Sequence, residues 1–390
     1  MDTDESSALP VESFAITHAP EAVDDLRRRL RATRWPDRSP APAWQQGTDL
    51  DYLVDLVGYW ADGFDWAEQQ RWLNGFPHYH ARVEGTTIHF VHVRAENGNG
   101  IPLVLSHGWP SCFVEYLPII PLLIDPAAHG LDGPAFDVVV PSLPGYAYSD
   151  RPEQPAFTAR DTARLWHRLM LRLGYPRYGA HGTDFGSAVT TFLALDQHAS
   201  VLGIHLSNLD LFPHTGAGTP PLSRAEQAYL AQYQRWADED RGYGVIQSTR
   251  PQTVGYGLTD SPAGLAAWVL EKWRAWSDCG GDLESRFSRD FLLTIVSLYW
   301  FTGTITSSMR DYVDNRHVSD LLGPTDRVRV PTAMAVFAHQ FLDDGEPPRE
   351  WAERLYDVHR WTTMPSGGHF AAAEEPGLLA RDLGAFFAGL

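Results

Sequence analysis

Apolar residues recur along this chain in two rhythms. Over residues 14–37 a short strand leads into a helix entered through Pro20. Val23, Leu26 and Leu30 fall at helical spacing there, Arg27, Arg28, Arg29 and Arg31 on the opposite, solvated face, and Trp35-Pro36 stops the helix. Residues 50–60 repeat the pattern through Leu53, Leu56, Val57 and Trp60, and the aromatics that follow (Phe64, Trp66, Trp72, Phe76, Tyr79) read as packing against something larger. Strand signals then take over. Residues 81–93 predict a hairpin turning at Glu84-Gly85, and short apolar runs at 101–106, 136–140, 202–206 and 332–337 predict buried strands, with a helix over 158–173. Buried apolar strands alternating with helices imply a mostly parallel sheet covered on both faces.

That alternation breaks after Asn208. Residues 209–312 carry almost no strand signal but have helical runs rich in Tyr and Trp at 226–236, 265–276 and 291–300, the pattern of an all-helical lid inserted between sheet strands. The sheet resumes at 332–337 and 360–364, and a helix over 378–387 closes the chain. The expected division is an N-terminal segment over 1–95, core over 96–210, lid over 211–315 and the rest of the core over 316–390.

Composition narrows the classes. With 390 residues, 44% of them hydrophobic, and no long apolar run, the chain is expected to be soluble and globular, with no membrane anchor. Met1 to Ser7 is polar and acidic, without the basic and apolar regions of a signal peptide, so the cytoplasm is the expected location. A formal charge of -18 argues against nucleic acid and anionic membrane surfaces as partners. Cys112 and Cys279 have no metal-type spacing and are expected to be buried reduced thiols. The single lysine, Lys272, reads as a product of coding bias. Nothing fixes the oligomeric state, and a homodimer stays open.

The candidate chemistry begins at Gly182-Thr183-Asp184-Phe185-Gly186, between a short strand and a run of helix formers. Glycines flanking a central acid are what a sharp strand-to-helix turn needs, the form of a nucleophile elbow with aspartate where serine is commoner. A carboxylate that attacks an sp3 carbon leaves an ester that water can cleave, whereas a serine alkoxide would leave an inert ether. Attack on an alkyl centre is therefore expected. Chain order supports the reading. A nucleophile at Asp184, an acidic loop after the strand ending at Phe337, and His369 in Gly367-Gly368-His369-Phe370 follow the order of the α/β-hydrolase triad. His107-Gly108-Trp109-Pro110 stands where that fold supplies one oxyanion-hole amide, at Trp109, the second being that of Phe185.

On these residues the sequence resembles an epoxide hydrolase of the microsomal type, from about Phe14 onward. The likeness includes Arg34-Trp35-Pro36-Asp37, Phe64-Asp65-Trp66, Ile88-His89-Phe90, Asp260-Ser261-Pro262 and Tyr299-Trp300. It also resembles the soluble bacterial branch, some of whose members act in enediyne antibiotic pathways. The resemblance implies that Asp184 attacks an epoxide carbon while two lid tyrosines, mapped onto Tyr243 and Tyr312, hold the opening oxygen. His369 then activates water against the ester, yielding a vicinal diol with no metal or organic cofactor. The implied partner is a small hydrophobic epoxide.

Two departures stand out. The family's tryptophan after the nucleophile is Phe185, and its relay glutamate falls on Gln340, which can accept a hydrogen bond from an imidazole but cannot offset its charge. Asp343 or Asp344, just beyond in an inserted loop with Glu346, is the expected displaced relay acid, with Gln340 itself as the alternative. A dehalogenase with the same Asp and His, and an inactive binding protein with a hydrolase pocket, are the competing readings.

Overall fold

The computed structural model describes residues 11–339 and 347–390. Nine strands form one sheet in the order β1-β2-β3-β5-β4-β6-β7-β8-β9. They are β1 (Glu12–Phe14), β2 (His78–Val83), β3 (Thr86–Val93), β4 (Ile101–Ser106), β5 (Phe136–Pro141), β6 (Tyr178–Gly182), β7 (Val201–Leu206), β8 (Pro331–Val336) and β9 (Asp357–Thr363). Pairing is antiparallel from β1 to β5 and parallel from β5 through β4 to β9. The predicted sheet is thus present, and its N-terminal hairpin extends one edge. From β4 the chain crosses to β5 on one side and later to β6 on the other, so the C-terminal ends of β4 and β6 flank a crevice where the winding reverses. This is the α/β-hydrolase fold.

Helices cover both faces. The N-terminal segment supplies α1 (Pro20–Arg31), α2 (Leu50–Asp62) and α3 (Trp66–Leu73). α1 ends four residues before Trp35, so the Trp35-Pro36 stop was placed too late. The helix α3, hidden by its aromatic density, starts at Asp65, whose carboxylate accepts from the amides of Ala67 and Glu68. Next come α4 (Ile120–Ile124), α5 (Ala159–Arg172) and the elbow helix α6 (Phe185–Asp196). A capping box between Thr158 and Asp161 opens α5.

Six helices lie between β7 and β8: α7 (Arg224–Glu239), α8 (Gly242–Thr249), α9 (Pro251–Asp260), α10 (Pro262–Trp276), α11 (Arg289–Thr302) and α12 (Ile305–Asn315). The three long ones follow the predicted runs. The glycine-bearing α8 and α9 have no comparable apolar run in the sequence, and the amphipathic α12, with Ile305, Met309, Tyr312 and Val313 at helical spacing, lies outside the predicted runs. The short α13 (Arg349–Glu353) and α14 (Ala371–Glu374) and the closing α15 (Pro376–Phe387) complete the chain.

The N-terminal segment ties this helical layer down. Its strands belong to the sheet, while its helices bond the lid: Trp60 Nε1 donates to Ser297 Oγ at 3.0 Å, Tyr59 to Asp290 at 2.8 Å, and Thr48 to the Ala267 carbonyl at 2.8 Å. Cys112 and Cys279 are buried and unbridged, as expected. No single helix among the described residues is long and apolar enough to cross a membrane; α11 and α12 pass that test only together, bent by 89°.

Beneath the elbow a buried polar chain links four elements. His181 on β6 meets His205 on β7 at 3.0 Å, His205 Nε2 lies 3.0 Å from Asp382 on α15, and Asp382 also accepts from Arg360 and Thr362 on β9. Burial alone would raise the Asp382 carboxyl, but His205, Arg360 and Thr362 outweigh it and hold it at about 2. A folded value below the unfolded one stabilises the fold above the unfolded pKa, and that contribution disappears as pH falls through the folded value. Asp382→Asn is expected to lower stability at pH 7 by about 2 kcal/mol and to flatten the acid limb of stability between about pH 4 and 2. Urea titrations across that range check this; an unchanged acid limb would rule Asp382 out as its source.

Candidate active site

The site is built where β4 and β6 end. Asp184 follows β6 at φ 51° and ψ -133°, a conformation that side-chain-bearing residues avoid, at a cost of about 1–3 kcal/mol. Neighbours hold it there. Its amide donates to Asn208 Oδ1 at 2.8 Å, its carbonyl accepts from the Ser187 amide at 2.8 Å, and Gly186 packs so tightly on the Ser106 carbonyl that a Cβ could not fit. The predicted elbow is therefore real.

The two carboxylate oxygens of Asp184 face different partners. Oδ1 accepts from the Trp109 amide at 2.8 Å, and Oδ2 lies 3.4 Å from His369 Nε2. Both side chains are almost wholly enclosed. Phe185 is the first residue of α6, where a backbone N–H has no partner within the helix. His369 follows β9, as expected. Its amide donates to the Trp276 carbonyl at the end of lid helix α10, at 2.9 Å, so the histidine loop is docked on the lid.

Tyr243 in α8 and Tyr312 in α12 meet over this carboxylate. Their rings lie 5.8 Å apart, and Trp109 touches both: it stacks on Tyr243 at 5.5 Å and 9° and meets Tyr312 edge-on at 5.6 Å and 90°. Phe185 packs edge-to-face on Tyr312 at 4.9 Å. The residues that carry the expected oxyanion amides thus also shelve the tyrosines. Burial pushes the Tyr243 phenol well above its ordinary range, with the Asp184 charge adding to the rise. Burial does the same for Tyr312, joined by Tyr243 and Asp184. Both remain hydrogen-bond donors at neutral pH.

Asp184, His369, Trp109, Phe185, Tyr243 and Tyr312 are all brought together. Gln340, Asp343 and Asp344 lie outside the described residues. Sequence reasoning missed Lys272. Dismissed above as coding bias, it is buried in α10 with Nζ 4.6 Å from the Tyr243 ring centroid, 3.2 Å from Asp240 and 3.0 Å from Glu271. A cation over a phenol face pins the ring. The signal was there to read, in that the chain's one lysine stands in an apolar helix. Asp210 and Arg241, which line the same cavity, also went unnoticed.

Residues 11–116 match the epoxide hydrolase N terminus family and residues 101–253 the alpha/beta hydrolase fold family. A protein of Stigmatella aurantiaca provisionally named as an epoxide hydrolase is 44% identical over 96% of this chain and 84% of its own length. Epoxide hydrolase 1 of Sus scrofa is 36% identical over 96% of this chain and 88% of its own. The crystal structure of juvenile hormone epoxide hydrolase from the silkworm Bombyx mori superposes with a TM-score of 0.87, at 29% identity, over 97% of this chain and 94% of that one.

Gly108 tests the geometry most directly, because a Cβ there would run into the Asp184 carboxylate. Gly108→Ala should displace that carboxylate from the Trp109 amide and lower kcat/KM by about 100-fold or more. Circular dichroism and thermal melting of the variant establish that the fold persists. Unchanged turnover would mean that the carboxylate's position is immaterial.

Proposed function

The chain belongs to the epoxide hydrolase family, and from that premise we propose that it opens an epoxide to a vicinal diol through an ester on Asp184. The observation that carries the proposal is the split between the two carboxylate oxygens. With Oδ1 occupied by the Trp109 amide, Oδ2 is the oxygen left to attack a ring carbon. As the carbon–oxygen bond breaks, charge grows on the departing oxygen, and protonated Tyr243 and Tyr312 donate to it. One of the phenols supplies the proton that converts the alkoxide to a hydroxyl.

The ester then has its carbonyl oxygen, Oδ1, already against the Trp109 amide. Neutral His369 takes a proton from water, the hydroxide adds to Cγ of Asp184, and the amides of Trp109 and Phe185 stabilise the oxyanion. Collapse expels the alkoxide, which takes the proton of the new carboxyl group and leaves as the diol; the carboxylate is restored with one oxygen from water, and the proton on His369 returns through solvent to the phenolate, closing the cycle. Phe185 has no indole N–H to hold a leaving halide, which favours oxygen as the leaving atom. By resemblance alone, the group that orients His369 is Gln340, or Asp343 or Asp344 close by.

Single turnover with excess enzyme in heavy-oxygen water tests the covalent step. The label should enter Asp184 and be absent from the first diol; label in that diol would mean direct attack by water.

His369→Gln should form the ester rapidly and accumulate it, whereas Tyr312→Phe and Tyr243→Phe should each slow its formation by about 100-fold. Stopped-flow alkylation followed by intact-protein mass spectrometry reads both, and a histidine variant that shows no burst would overturn the division of roles. For the relay, alanine at Gln340, Asp343 and Asp344 in turn should impair ester hydrolysis at one position only. Normal hydrolysis in all three would place the relay elsewhere.

A further inference from the structure

The cavity over Asp184 has a volume of about 180 Å³, and its lining is not purely apolar. Asp210, on the loop after β7, and Arg241, at the turn into α8, face into it, joined by Asn315 and Arg316 at the end of α12. The half-buried Arg241 runs over Gly244. Its Cγ and Nε lie 3.3 and 3.6 Å from where a Cβ of that glycine would be, and Cε1 of Tyr312 lies 3.6 Å from the same point. The guanidinium stem therefore passes beside one of the two tyrosines. Among the described residues, neither Arg241 nor Arg316 forms a side-chain hydrogen bond or close ion pair. Arg286, Arg289 and Arg354 elsewhere are all held by carboxylates.

A partly desolvated cation without a fixed partner costs free energy that an anionic ligand can recover. In a chain of formal charge -18, one such cation at the cavity, Arg241, with the exposed Arg316 at the mouth, is a local feature set against the overall field. The cavity is also small, and Arg241 and Asp184 line it together, so a compact ligand can reach both.

We infer that this end of the cavity is a carboxylate subsite, in which Arg241, assisted by Arg316 at the mouth, binds the acid group of a compact epoxy acid. The inference rests on the aspartyl-ester reading and adds the substrate class. Asp210 modulates the subsite. Burial pushes its carboxyl up to about 7, the Asp184 charge adds to this, and Arg241 opposes it. The groups whose charge it feels, or that feel its own, are Asp184, Arg241, Tyr229, Tyr233 and Tyr356, of which only Arg241 is cationic. Below that value Asp210 is neutral and leaves Arg241 to the ligand. Above it the new carboxylate pairs with Arg241 and repels an anionic substrate.

The test compares 3-phenylglycidate with its methyl ester and reads the ratio of their kcat/KM values, in which any titration of His369 cancels. The wild type should favour the acid at pH 6, and the ratio should fall about tenfold by pH 8. Arg241→Gln should lower the ratio at pH 6 about tenfold or more, through KM, with partial recovery in Arg241→Lys, and Asp210→Asn should remove the pH dependence. Binding of the product acid, 2,3-dihydroxy-3-phenylpropanoate, to Asp184→Asn protein reads the subsite without turnover and should weaken about tenfold when Arg241→Gln is added. A ratio below one in the wild type, or a ratio or product-acid affinity indifferent to Arg241, overturns the subsite. Ester turnover in the same experiment shows that such a failure leaves the aspartyl-ester reading standing.

Discussion

Everything at this site depends on one strained backbone position. Asp184 occupies a conformation that side chains avoid, and no local preference of the sequence would keep it there. It is held from three directions: the Asn208 side chain on its amide, the first turn of α6 on its carbonyl, and the Trp109 amide on its carboxylate. The strain aims the carboxylate out of the sheet into the crevice where the winding reverses. A relaxed residue there would turn its side chain into the close-packed strand ends.

The same contacts make the lid part of the site. Trp109 binds Asp184 through its backbone and both tyrosines through its ring, so the carboxylate and the two phenols share one support. Lid helix α10 reaches the core through the Trp273 indole on the Pro110 carbonyl, the Trp273 ring stacked on Phe370 at 3.7 Å, and the Trp276 carbonyl on the His369 amide. Lys272, on the same helix, lies under Tyr243. One helix thus braces the Trp109-Pro110 loop, the histidine and a tyrosine together. The N-terminal segment, bonded to sheet and lid at once, keeps that helix in place.

The electrostatics divide the cavity. Around Asp184 and the tyrosines, burial keeps the phenols protonated, so donors stand ready where negative charge would develop. Farther along the same cavity stand the Asp210 carboxyl, raised to about 7 by burial, and the Arg241 guanidinium, whose charge opposes that rise.

The sequence by itself determined what local periodicity can encode. Apolar runs marked the buried strands, helical spacing marked α1, α2 and the long lid helices, and two glycines around an acid marked the elbow, because each of these follows from the backbone within a few residues. The order of Asp184 and His369 along the chain was legible for the same reason, since each follows a recognisable strand. What only the tertiary structure decided is which distant side chains meet. Tyr243 sits on a short glycine-bearing helix and Tyr312 on the apolar stripe of α12, neither of which singles out a tyrosine as functional, and their selection from the sequence rested on resemblance alone. Lys272 acquires meaning only once α10 packs beneath α8, and Asp210 and Arg241 line one cavity only because the helical layer folds back over the end of β7. Those contacts arise from packing between segments far apart in the chain, which neither propensity nor spacing records.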